Sequence, residues 1–278
     1  MIELPEIETI RRDLDKDITT KKIKDVDVVI ARAVGAASGK AKLLAATDKA
    51  KITGVGRVGM RIAIGLDTDH TLLIDLGTGG QLIRTANKDE VHKRTALVIT
   101  FTQHGQLRLV DMEADAQVAV VGTDELPDSL GDSVPTGIDP IEEPMSWTDF
   151  GRALHSHHTK LKTLICNDEF IIGIGPMYAD EILFQAGLRY DRWSDSLTTQ
   201  EVRRLYRALV ETLHDAVKYR GSTVEGSHYV DAFGEPGSYQ DHHSVYRKDG
   251  SLSPRSRRPI VKSKFSGEWT WYCEQSQV

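Results

Sequence analysis

Apolar positions at Ile7, Ile10 and Leu14, following Pro5 and Glu6, fall at helical spacing and predict an opening helix with an acidic first turn. From residue 23 to about 121 the pattern changes to short β-like runs: Val26–Ile30, Arg61–Leu66, Thr71–Leu76, Ala96–Phe101 and Gln106–Val110. Turn-prone punctuation separates them, so this stretch predicts a β-sandwich or barrel. Residues 122–145, rich in Gly, Pro and acids, predict a linker. The period then becomes helical. Ser146 with Asp149 and Thr198 with Glu201 have capping-box spacing, and the second pair opens a helix striped by Val202, Leu205, Leu209, Leu213 and Val217. Two short helices, Lys160–Asn167 and Met177–Ala186, flank the turn Ile172-Gly-Ile-Gly-Pro176, with Gly187 ending the second. The tail returns to β: Ile260–Phe265 and Trp269–Cys273 around Ser266-Gly267-Glu268 predict a hairpin.

Composition places the chain among ordinary globular proteins, with 40% hydrophobic and 27% charged residues over 278 positions. No apolar run approaches the roughly 18 residues that a bilayer requires, so no membrane partner is expected. Glu3, Glu6 and Glu8 precede any apolar stretch, which argues against a signal peptide. Cys166 and Cys273 give no disulfide framework, and the expected location is cytoplasmic. The net charge of −6 lacks the basic footprint of a nucleic-acid binder. Its distribution changes that picture. Residues 110–149 carry eleven carboxylates and no Lys or Arg, a surface suited to a basic protein partner or simply a solvated linker. Residues 247–264 carry Arg247, Lys248, Arg255, Arg257, Arg258, Lys262 and Lys264 against Asp249 alone, a segment suited to phosphate.

Four blocks in order resemble the formamidopyrimidine-DNA glycosylase/endonuclease VIII (Fpg/Nei) family. They are the opening MIELPEIETIRRDL, TLLIDLGTGGQL at 71–82, EFIIGIGPMYADEILFQAGLRY at 169–190, and residues 230–278 with VDAFGEPGSYQ and the closing WTWYC. The resemblance implies an α+β fold: an N-terminal β-sandwich flanked by helices, then a helix-two-turn-helix domain ending in a finger hairpin. The expected divisions are 1–121 for the sandwich, 122–145 for the acidic linker, 146–220 for the helical domain and 221–278 for the finger.

The family's chemistry, as the resemblance implies it, needs an N-terminal proline amine that attacks C1′ of a damaged nucleotide and forms a Schiff base. An α-amine suits this because its pKa of about 8 leaves free base at neutral pH. Ile2 stands at that position, and a bulky second residue is expected to keep Met1 in place. The Met1 amine would then lie about 3.5 Å out of register with Glu3, the matching general acid/base. Glu6 also remains, and both carboxylates fit equally well as helix N-terminal anions.

Other family positions differ as well. Met60 takes the place of the phosphate-binding lysine, with Arg57 or Arg61 as candidate substitutes. Thr78 replaces the void-filling Met, and the intercalating Arg-Phe segment becomes Asp111-Met-Glu-Ala-Asp-Ala116, with Glu113 near the arginine. In the helix-two-turn-helix, Gly173 and Gly175 let backbone approach phosphate, but Pro176 replaces the asparagine. Glu268 replaces the arginine at the finger tip, leaving Arg255, Arg258, Lys262 and Lys264 as candidate DNA contacts. The two Cys-x-x-Cys pairs become Ser253-Pro-Arg-Ser256 and Cys273-Glu-Gln-Ser276, so no cofactor is expected and the finger is read as zincless. The balance favours a protein that binds damaged or abasic DNA with lost or weak glycosylase and lyase activity. The alternatives are a protein-interaction or regulatory role, and an active enzyme using another amine.

Overall fold

Helix α1 (Leu4–Ile18) begins where Pro5 presets the backbone for a first turn, and it buries Leu4, Ile7, Ile10, Leu14 and Ile18. The computed structural model describes residues 2–35, 39–126, 136–143 and 145–278. The stripe packs on a pair of four-stranded antiparallel sheets. One runs β1 (Ile23–Val28), β6 (Thr95–Phe101), β7 (Gln106–Asp111), β5 (Gly80–Thr85); the other runs β2 (Ile52–Val58), β3 (Arg61–Leu66), β4 (His70–Asp75), β8 (Gln117–Gly122). Register places Ile62 opposite Ile74 and Ile74 opposite Val118, so one apolar face of the second sheet is continuous. Those residues join Ile99, Leu107 and Leu109 of the other sheet in one core. The expected β-sandwich is present. Helix α2 (Gly39–Thr47) and strands β2, β5 and β8 lie outside the runs expected from sequence.

The chain divides into two compact units, Met1–Val134 with Tyr219–Ser238, and Pro135–Lys218 with Tyr239–Val278. Residues 221–238, grouped with the finger on sequence, therefore pack with the sandwich. The physical reason is a part-buried polar tie: Arg220 Nε bonds Asp231 at 2.8 Å, and the same guanidinium also bonds Asp13 on α1.

The second unit holds α3 (Trp147–His155), α4 (Leu161–Ile165), α5 (Pro176–Ala186), α6 (Thr199–Lys218) and the hairpin β9 (Val261–Phe265), β10 (Glu268–Tyr272). Ser146 caps α3 by accepting from Asp149 N at 3.2 Å. Thr198 and Glu201 close a full capping box before α6, at 2.8 and 3.3 Å. Gly187 takes φ +69° after α5, a left-handed stop that strains any other residue. Ser266 and Gly267 both have positive φ, the requirement of a tight two-residue hairpin turn. No helix among the described residues is long and apolar enough to cross a membrane.

Candidate functional site

The start of the chain is organised by carboxylates. Glu3 is the N-cap of α1, and its side chain accepts from the Glu6 backbone N–H. Glu6 Oε2 in turn accepts from Glu3 N at 3.0 Å. The other Glu6 oxygen accepts from Ser222 N at 2.8 Å, in a turn where Gly221 has φ +75°. A Cβ at Gly221 would lie 2.8 Å from Glu6 Oε1, so glycine is required for that close approach. Both glutamates are thus buried and engaged with backbone N–H groups. Ile2 is 7% exposed and belongs to the sandwich core. Met1, the alternative amine, lies outside the described residues, as do Asp128 and Asp132 of the acidic segment.

Two of the expected phosphate contacts are already engaged within the chain. The Arg57 side chain is 0% exposed, bonded to Glu8 at 3.3 Å and to the Gly59 carbonyl at 2.8 Å. Burial pushes the Glu8 carboxyl up, but hydrogen bonds from Arg11 and Arg12 outweigh it and hold the group below its ordinary range. Arg57 therefore balances a buried anion and does not face solvent. Arg255 donates to the Gln185 carbonyl at 2.6 Å and lies over Phe184, so it satisfies the C-terminal end of α5. Arg61 faces Asp75 at 3.4 Å, and Met60 is partly buried against the core.

Thr78 and the acidic turn after β7 are latched together. Thr78 donates through its backbone and its hydroxyl to Asp115 Oδ2, at 2.9 and 2.6 Å. Asp111 holds the same turn by accepting from Asp115 N and Ala116 N, while Arg32 bonds its other oxygen. Glu113 pairs with His228 at 2.9 Å. The turn after β7 is thus tied by its own carboxylates to Thr78, Arg32 and His228.

In the second unit, Gly173 has φ +70° and donates its N–H to Asp168 Oδ1 at 2.8 Å. Gly175 caps α5 in extended conformation and Pro176 opens the helix. The glycine turn survives as backbone geometry, with one of its N–H groups already engaged by a carboxylate.

The finger is attached through residues that sequence reasoning missed. Asp180 Oδ1 accepts from Lys162 Nζ and Thr270 Oγ1, both at 2.6 Å, and Oδ2 accepts from Trp271 N at 2.9 Å. Burial pushes the Asp180 carboxyl up against the pull of these donors. Its neighbour Glu181 accepts from the backbone N–H groups of Ser244, Val245 and Tyr246 at 2.7 to 2.9 Å. The available signal was two adjacent acids inside the apolar stretch 177–186, where carboxylates persist only with partners.

Ser253, Ser256, Cys273 and Ser276 converge. Ser253 Oγ and Ser256 Oγ lie 3.1 and 3.0 Å from Ser276 Oγ, and Cys273 Sγ lies 3.3 Å from Ser256 and 3.4 Å from Ser276. Burial raises the Cys273 pKa, but hydrogen bonds from Ser256 and Ser276 outweigh it and bring it to about 7. One thiol and three hydroxyls are a donor set that does not fit zinc, which takes thiolates, imidazoles or carboxylates. On the hairpin, Lys262 pairs with Asp249 at 3.2 Å, whereas Lys264, Arg258 and Glu268 are exposed.

Residues 1–117 match the formamidopyrimidine-DNA glycosylase N-terminal domain, and residues 136–227 match the formamidopyrimidine-DNA glycosylase H2TH domain. The formamidopyrimidine-DNA glycosylase of Pelotomaculum thermopropionicum is 33% identical over 277 residues, covering 100% of this chain and 99% of that protein. That of Enterococcus faecalis is 31% identical over 280 residues, covering 100% and 97%. The solved structure of Lactococcus lactis Fpg with DNA containing an abasic site has TM-score 0.88 and 26% identity, over 99% of each chain. The chain belongs to the formamidopyrimidine-DNA glycosylase family.

Proposed function

We propose that this protein binds DNA, with damaged or abasic sites as its target, and lacks most of its family's amine-dependent glycosylase and lyase chemistry. The observation that carries this reading is the burial of Ile2 in the core, directly before a Glu3–Glu6 capping box. An isoleucine fixed there offers no secondary amine to C1′, and the Glu3 and Glu6 carboxylates are taken up by backbone N–H groups. Support for DNA as partner comes from the full-length likeness to Lactococcus lactis Fpg, whose structures contain abasic-site and Fapy-dG DNA. Exposed Arg258 and Lys264 supply cationic surface on the second unit. The finger is read as metal-free, with the Ser253–Ser256–Cys273–Ser276 cluster standing where the family resemblance places zinc.

Borohydride trapping on abasic-site DNA tests the chemistry. The expected result is no covalent adduct; a trapped adduct establishes an active enzyme that uses another amine. A salt titration of duplex binding tests the partner. Binding that weakens linearly in log–log form is expected. Absence of binding at low salt overturns the DNA reading and favours a protein partner for the acidic segment 110–149.

A further inference from the structure

Alternation along β9 and β10 sets Lys262, Lys264, Trp269 and Trp271 on one face of the hairpin, because Lys264 opposes Trp269 and Lys262 opposes Trp271. Trp271 is buried and donates its indole N–H to Asp249 at 2.8 Å, so its role is packing. Trp269 is different: it is 44% exposed, a large apolar ring left in solvent. Lys262 Nζ and Lys264 Nζ approach its ring centroid at 5.4 and 5.5 Å. Lys262 also has Asp249, but Lys264 has no carboxylate partner among the described residues.

The backbone that carries the ring is also anchored. The Trp269 carbonyl accepts from Lys162 Nζ at 3.3 Å, and the next two residues bond Asp180. An exposed aromatic on an anchored strand, with flanking cations, is the arrangement that binds single-stranded nucleic acid, the ring taking a base face and the lysines the phosphates. Within a duplex, base faces are covered by their neighbours and only edges are offered. Glu268, adjacent at the turn, disfavours the direct phosphate contact that an arginine would make there.

The geometry points to Trp269, flanked by Lys262 and Lys264, as a stacking platform for an unpaired nucleobase of DNA. This inference rests on the DNA-binding reading and specifies which form of DNA the finger contacts.

The test measures binding of fluorescent oligothymidine and of a duplex of equal length to the full chain, comparing wild type with W269A, W269F and K264A. Thermal melting checks that each variant is folded. W269A is expected to lose about tenfold on oligothymidine, the loss of one base stack, and less than about twofold on duplex. W269F retains most of the affinity. K264A lowers the log–log salt slope on oligothymidine by about 0.7, the value for one phosphate contact on a single strand. Equal binding of oligothymidine by W269A and wild type overturns the inference. Wild type that binds duplex but not oligothymidine overturns it alone and leaves the DNA-binding reading standing. Wild type that binds neither removes both.

Discussion

Ser256 Oγ stands 3.3 Å from Cys273 Sγ, at two positions where the family resemblance expects zinc thiolates. Thiolates of a tetrahedral zinc site with bonds near 2.3 Å lie about 3.8 Å apart. The serine cluster is therefore already close to metal-binding dimensions and lacks only the ligand chemistry. The triple substitution S253C/S256C/S276C is expected to bind one zinc ion per chain, measured by elemental analysis after gel filtration. Wild type should bind none and keep its melting temperature in EDTA. Zinc retained by wild type contradicts the metal-free finger.

Restoring the amine tests whether the N-terminus alone limits chemistry. In I2P/M60K, a small second residue permits Met1 removal, proline gains a free secondary amine, and the phosphate-binding lysine returns. The double variant should yield a borohydride-trapped adduct on abasic-site DNA where wild type yields none. Trapping equal to wild type assigns the loss to more than these two positions.

Asp180 and Lys162 predict a stability effect. D180A leaves the Lys162 ammonium buried without its anion, and leaves Thr270 Oγ1 and Trp271 N without their acceptor. Breaking one side of a buried pair costs about 3–5 kcal/mol. Urea unfolding should report a destabilisation in that range, and a change below about 1 kcal/mol would show that the pair contributes little.

His243 predicts the pH dependence. Burial, then the positive charges of Lys248 and Arg247, hold its pKa down to about 4 from 6.5. Between these values the unfolded chain binds the proton and the folded chain does not, so stability rises with pH across this window and falls as the solution is acidified. The loss approaches roughly 3 kcal/mol by pH 4. H243F preserves ring contacts with Tyr239 and Tyr246 and should flatten the slope between pH 4 and 6.5 in denaturant titrations.

Much of the architecture was legible because it depends on local pattern. The Ile7, Ile10, Leu14 stripe, the Thr198–Glu201 box and the Ser266-Gly267 turn each have a sequence signature that the fold keeps. Strand β2 was not legible, since Gly54, Gly56 and Arg57 break its apolar alternation. Helix α2 was obscured by a short Ala- and Lys-rich run with little amphipathic contrast. At the site, residue identity marks Ile2, Met60 and Glu268 as positions where the family resemblance implies other side chains. It could not reveal that Arg57 would face Glu8, or that Asp115 would seize Thr78, because those pairs are separated by 49 and 37 positions.

Asp180 and Glu181 are consecutive residues on α5, yet one grips the hairpin at Thr270 and Trp271 and the other grips the loop at Ser244–Tyr246. The finger thus hangs from the helix by two neighbouring side chains that owe nothing to the Ser253–Cys273 cluster. A finger suspended in this way stays joined to α5 through carboxylates on the helix itself, whatever side chains stand at the cluster.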